Sequence, residues 1–163
     1  MAMQGLKRKV LSKKEIKELI KKLPSMLESL INKKDIVEVI KIKKDNIFLV
    51  NHKPYFIETN NRIIPHLQLI LDKKILIKEV IVDKGAIKPI LNGADVMAPG
   101  IVFFNQEIEK DDLVCVCDRS KRLPLCVGYS LLSAEEFLQL KEKKGRVIKN
   151  VHHLKDIWWN LFK

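Results

Sequence analysis

The chain has 163 residues, 47% of them apolar and 31% charged, and its 31 Lys and Arg against 20 Asp and Glu give a formal charge of +11. That length supports one large core or two small ones, which excludes a disordered chain and a mini-protein held together by staples. No run approaches the roughly 20 apolar residues of a membrane span, and the basic start over residues 1–10 lacks a signal peptide's apolar stretch, so no membrane association and a cytoplasmic location are expected.

Taken in chain order, Leu6 to Val10 reads as an opening strand. Ser12 and Glu15 form an S-x-x-E capping box, with Leu11 and Ile16 as its hydrophobic staple, and predict a helix from Lys13. Ile16, Leu19, Ile20 and Leu23 follow the helical apolar spacing, which leaves Lys13, Lys17 and Lys21 stacked on another face. Pro24 ends that helix, and Ser25 to Ile31 predicts a second, short one. From Ile36 to Lys43 the β-branched content predicts a strand with Ile36, Ile40 and Ile42 on one face beside Glu38. Turns at Asp45-Asn46 and at residues 51–54 then separate strands over Ile47–Val50 and Tyr55–Glu58, completing a β-meander. Pro65 suits the first turn of a helix running to Asp72, and Ile75 to Ile77 leads out of a first α/β domain, residues 1–78.

Residues 79–163 read as a second, β-rich domain. Glu79–Val82, Ile87–Leu91, Ile101–Phe104, Leu113–Cys117, Leu125–Tyr129 and Val147–Leu154 are predicted strands, and both faces of Leu113–Cys117 are apolar, as in a nearly closed barrel. One helix interrupts them, opened by the capping box of Ser133 and Glu136 and running to about Lys143. The fold class expected is α+β.

The charge is uneven: residues 1–80 hold 18 basic and 9 acidic side chains, residues 81–163 hold 13 and 11. An excess of that kind favours a polyanionic partner, whether nucleic acid, an acidic membrane surface or an acidic protein. Cys115, Cys117 and Cys126 are an odd number, and strand residues two apart lie roughly 7 Å from each other, which suits buried thiols better than zinc ligands. No cofactor and no metal are expected. His52, His66, His152 and His153 stand in no nucleophile motif, and adjacent Asp111 and Asp112 diverge, so no catalytic residue is assigned. In the segment Asn92 to Ile101, the small residues Gly93 and Ala94 would let a phosphate approach N–H groups at the start of a helical turn; alternatively, these glycines only make a tight corner.

The run Gly93 to Ile101, GADVMAPGI, followed by Asp111-Asp112-Leu113-Val114 and Pro124 to Gly128, resembles the PUA domain, the RNA-binding pseudobarrel named after pseudouridine synthases and archaeosine transglycosylases. Together with Val82 to Lys88, Ser133-Ala134-Glu135, Asn150 to Leu154 and Trp158, it resembles the malignant T-cell-amplified sequence family of translation factors in its short archaeal form. The resemblance implies a pre-PUA domain followed by a PUA pseudobarrel, and contact with the small ribosomal subunit and the tRNA acceptor end in initiation, reinitiation or recycling. It implies tRNA and small-subunit rRNA as partners, and a density-regulated-protein-like factor as a further one. By resemblance the RNA groove maps to Lys88, Asn92, Gly93, Ala94, Asp95, Met97 and Pro99, with Arg146 and Lys149 from the final strand and Lys121 and Arg122 as phosphate contacts. The Asp95 carboxylate would accept from a base or a main-chain N–H. Lys13, Lys17 and Lys21 form the basic face for ribosomal RNA. Two other readings stand beside this one: an RNA-presenting accessory of a modification enzyme, and a protein-interaction module using Trp158, Trp159 and Phe162.

Overall fold

The computed structural model describes residues 5–163, so the first four residues of the basic start lie outside them. Among the described residues, no helix is long and apolar enough to cross a membrane. The chain divides into two compact units, one running to Ile75 and including Asn160–Lys163, the other spanning Leu76–Trp159.

In the first unit, β1 (Arg8–Val10), β2 (Val37–Ile42), β3 (Asp45–Val50), β4 (Lys53–Thr59) and β5 (Arg62–Pro65) pair in sequence order as an antiparallel meander. Helix α1 (Lys13–Lys22) carries both halves of its capping box: Glu15 N–H donates to Ser12 Oγ at 3.1 Å, and Ser12 N–H donates to Glu15 Oε1 at 3.0 Å. Its stripe of Leu19 and Leu23, continued by Leu27 in the 3₁₀ turn that follows, buries against Val37, Phe48, Val50, Phe56 and Ile63. Each such side chain contributes about 1.5–3 kcal/mol by leaving water. On the other pleat, Ile40, Ile47, Ile57 and Ile64 align in one cross-strand row, all fully buried. Glu38 lies on the same face of β2 as Ile40 and is held by His52 Nδ1 at 2.7 Å.

Several features differ from the sequence expectation. The turn expected at Asp45-Asn46 falls at Lys43–Lys44, where Lys43 takes a positive φ, and Asp45 and Asn46 pair with Ile42 and Lys41 as the start of β3. Ile36 stays outside β2 and is exposed, because pairing starts at Val37. Pro65 closes strand β5, and α2 (Leu67–Leu71) is capped instead by the His66 ring, whose Nδ1 accepts from Gln68 N–H at 3.0 Å. The last residues, expected with the second domain, belong to this unit: Leu161 is buried and Phe162 meets His66 edge-on with ring centroids 5.7 Å apart.

The second unit is one six-stranded sheet in the order β7-β11-β10-β9-β6-β8, made of β6 (Glu79–Val82), β7 (Val96–Met97), β8 (Ile101–Phe104), β9 (Leu113–Asp118), β10 (Pro124–Ser130) and β11 (Arg146–His153). Only β6 and β9 run parallel. The sheet curls into a pseudobarrel around Val80, Val82, Ile90, Val114, Val116, Leu125, Phe137 and Ile148. Two strands, β7 and β8, keep a free edge and are joined by the short 3₁₀ turn Ala98–Gly100. Gly128 permits the β10–β11 crossing, since a Cβ there would stand 1.8 Å from the Lys149 carbonyl oxygen.

The predicted strand over Ile87–Leu91 is in fact helical, part of α3 (Lys84–Leu91). Pro89 disfavours a helix interior and the branched Ile87 and Ile90 favour a strand locally, but Ala86, Ile87, Ile90 and Leu91 form a helical stripe that packs on the barrel core, and burial overrides propensity. Helix α4 (Ala134–Leu138) starts at its expected capping box and stops earlier than Lys143.

Candidate nucleic-acid interface

Helix α3 ends at Asn92, and Gly93 follows at φ +92°, the left-handed conformation that closes helices. Its N–H donates to Ile90 O at 3.0 Å and that of Ala94 to Pro89 O at 3.0 Å, so both are spent on the helix's last carbonyls. This corrects the expectation that Gly93 and Ala94 begin a helical turn and offer free N–H groups to a phosphate: they lie at a helix C-terminus, which presents the wrong end of the dipole. Gly93 itself is required by backbone conformation.

Asp95 locks this turn to the last strand. Its Oδ1 accepts from the main-chain N–H of Asn150 at 3.0 Å, and its Oδ2 accepts from Arg146 Nη1 at 3.2 Å. Lys149 Nζ lies 3.7 Å from Oδ1. Of the two acceptor roles expected for Asp95, the main-chain one is what the fold uses. Asn150, buried on β11, completes the lock by donating its amide to Ile90 O and Ala94 O, each at 3.0 Å. Two cations share one carboxylate, so the cluster stays net positive.

Between α3 and the β7 turn lies a cleft of about 310 Å³, walled by Ala86, Pro89, Met97, Pro99 and Gly100, with Asp83 and Asp95 also on its lining. Its depth depends on small residues, because a Cβ on Gly100 would come 2.9 Å from that of Ala86. Met97 and Pro99 are exposed on its rim, giving an apolar surface on which a base can lie. Lys88 is exposed on α3 and Arg146 pairs with Met97 across the β7–β11 ladder. The fold therefore sets Lys88, Asn92, Gly93, Ala94, Asp95, Met97, Pro99, Arg146 and Lys149 along α3, its closing turn, β7 with the 3₁₀ turn that follows it, and β11.

Lys121 and Arg122 occupy the β9–β10 hairpin. Asp118 organises it, accepting from Leu123 N–H at 2.7 Å, Lys121 N–H at 3.2 Å and Ser120 Oγ at 3.1 Å. The Leu123 N–H is the chief cause that holds this carboxyl below the usual range, with burial working against it. Register places the hairpin at the sheet end shared by Val82 and His153. Lys13, Lys17 and Lys21 are exposed along α1 in the other unit, Lys21 lying 3.7 Å from Glu18.

Sequence reasoning assigned no role to Asn150. Its signal was its place in the strand's alternation, where Asn150 shares the buried face of β11 with Ile148 and His152. Cys115 and Cys117 are buried with Sγ atoms 3.8 Å apart, closer than the spacing of their main-chain positions because the side chains lean together. Cys126 aligns with Val116 and so lies on the opposite face of the sheet. Burial pushes the Cys126 thiol up, which keeps it neutral. Among the described residues, no group of three or more His, Cys, Asp or Glu is placed to hold a metal.

Residues 78–154 match the family model of the PUA domain, and residues 7–73 match that of a domain of unknown function, DUF1947. A crystallised PUA-domain protein from Aeropyrum pernix superposes with a TM-score of 0.82 at 28% identity, over 96% of this chain and 90% of that one. The second unit is a PUA pseudobarrel. Over the whole chain, translation machinery-associated protein 20 of Saccharomyces cerevisiae is 31% identical, covering 85% of this chain and 80% of its own length. Malignant T-cell-amplified sequence 2 of Homo sapiens is 30% identical, covering 88% and 83%. This chain belongs to the family of those two proteins.

Proposed function

We propose that the chain is a non-catalytic RNA-binding protein of translation, whose PUA groove takes the single-stranded acceptor end of a tRNA while the basic first domain, ending near Lys78, docks on small-subunit ribosomal RNA. One observation carries this reading: the apolar wall at Met97 and Pro99 borders Arg146, which pairs with Met97 across the β7–β11 ladder, with Lys149 exposed further along the same strand and Lys88 exposed on α3. Unpaired RNA ends are recognised by that combination of stacking surface and phosphate neutralisation. The name of the yeast relative, translation machinery-associated protein 20, supports the setting. Lys121 and Arg122 extend the phosphate track, and a density-regulated-protein-like factor is the proposed protein partner.

The test is co-sedimentation of the chain with purified small subunits, with and without tRNA, alongside cross-linking of the bound RNA. Pelleting with subunits and cross-links from Met97 or Lys88 to a tRNA 3′ end are expected. Travel with a modification enzyme and free RNA, but never with subunits, would favour the accessory role instead.

A further inference from the structure

The carbonyl oxygen of Leu154 lies 2.7 Å from His153 Nδ1. A carbonyl only accepts, so Nδ1 carries the proton, and a neutral ring then leaves Nε2 as a bare acceptor. Nε2 is directed at Gly93, where a Cβ would stand 3.4 Å away. Because Gly93 has no side chain, the space in front of Nε2 stays open, bordered by the exposed turn Asn92 to Ala94. The partners of His153 are met through Nδ1 and its main-chain N–H, the latter donating to Asp156 Oδ2 at 2.9 Å.

An uncharged acceptor cannot take a phosphate, which has no proton to give. It needs an O–H or N–H donor. Register sets Arg146 beside Met97 and carries β11 on past Lys149 to His153 at its far end, so a strand with a base on the Met97–Pro99 wall and phosphates on Arg146 and Lys149 runs on toward Nε2, and the donor that every RNA nucleotide brings there, whatever its base, is the sugar hydroxyl. We propose that His153 Nε2 accepts a hydrogen bond from a ribose 2′-hydroxyl, so that this position makes the groove prefer RNA over DNA. The proposal rests on the reading of the groove as an RNA site.

The probe is a labelled hairpin RNA with a single-stranded 3′ end, compared with the same hairpin carrying 2′-deoxy nucleotides in that end, at pH 8 where free imidazole is neutral. Wild-type protein should bind the deoxy probe about two- to tenfold more weakly, the worth of one neutral hydrogen bond. His153→Ala should bind both probes equally, and His153→Gln, whose amide oxygen accepts, should keep part of the preference. A preference unchanged in His153→Ala, or absent in the wild type, overturns the proposal while leaving the groove in place if Lys88→Glu with Arg146→Glu abolishes binding. If that double variant binds as tightly as wild type, the groove reading falls, and this inference with it.

Discussion

Asp95 and Asn150 bind each other across the seam between the α3 turn and β11: the carboxylate takes the asparagine's main-chain N–H at 3.0 Å while the asparagine's amide ties down two carbonyls of the turn. Asp95→Asn should therefore cost about 1–3 kcal/mol of stability in urea denaturation, the penalty for weakening a buried charge-assisted bond. RNA affinity should hold or rise, because Arg146 and Lys149 lose their carboxylate. A fall in affinity without a fall in stability would make Asp95 an RNA contact instead.

The Gly128 crossing predicts a sharper loss. Gly128→Ala would place a Cβ on the Lys149 carbonyl, and backbone on both sides has to move. Loss of about 3 kcal/mol or more, or no folded protein, is expected. Gly145→Ala meets nothing within 4 Å and is strained only by its φ of +93°, so it should cost about 1 kcal/mol. Equal melting temperatures for the two variants would contradict the close approach.

Replacing Lys13, Lys17 and Lys21 by Glu should flatten the salt dependence of binding to small subunits. Each phosphate contact adds about 0.7–0.9 to the slope of log K against log salt, so three lost contacts lower it by about 2–3. An unchanged slope would count against α1 as the ribosomal face.

Asp118 gives a pH signature. Its folded pKa lies below the unfolded value, so it stabilises the fold above about pH 3.9 and loses that contribution as pH falls through the folded value. The stability gap between wild type and Asp118→Asn should be constant from about pH 7 to pH 5 and close below about pH 4. Denaturation curves across that range decide it; a gap that persists in acid would show that the three donors, rather than the charge, matter.

Both capping boxes are legible in the sequence because each is complete within four consecutive residues, Ser12 to Glu15 and Ser133 to Glu136. The meander is legible from its β-branched runs and the turn around Asn51, but its first turn falls at Lys43–Lys44, two residues before the Asp45-Asn46 pair that the sequence offered. Helix α3 is not, since Pro89 speaks against a helix interior, Ile87 speaks for a strand and only the barrel core speaks for a helix. The residues proposed for the groove come from resemblance, and the polarity of the Gly93 turn follows from α3 and is misread with it. The lock between Asp95 and Asn150 joins positions 55 residues apart, and no local pattern announces a partner at that distance.

The pseudobarrel leaves β7 and β8 unpaired on their outer sides, with three residues of 3₁₀ turn between them. Amides on those two edges lack the ladder that shields the central strands, so they should exchange with deuterium early, well before β9 and β10. The proposed groove lies along this seam, and its occupant would act as a clasp. Slowed exchange at Val96, Met97 and Val102 when RNA is added would report that clasp directly, on a timescale that no affinity measurement resolves.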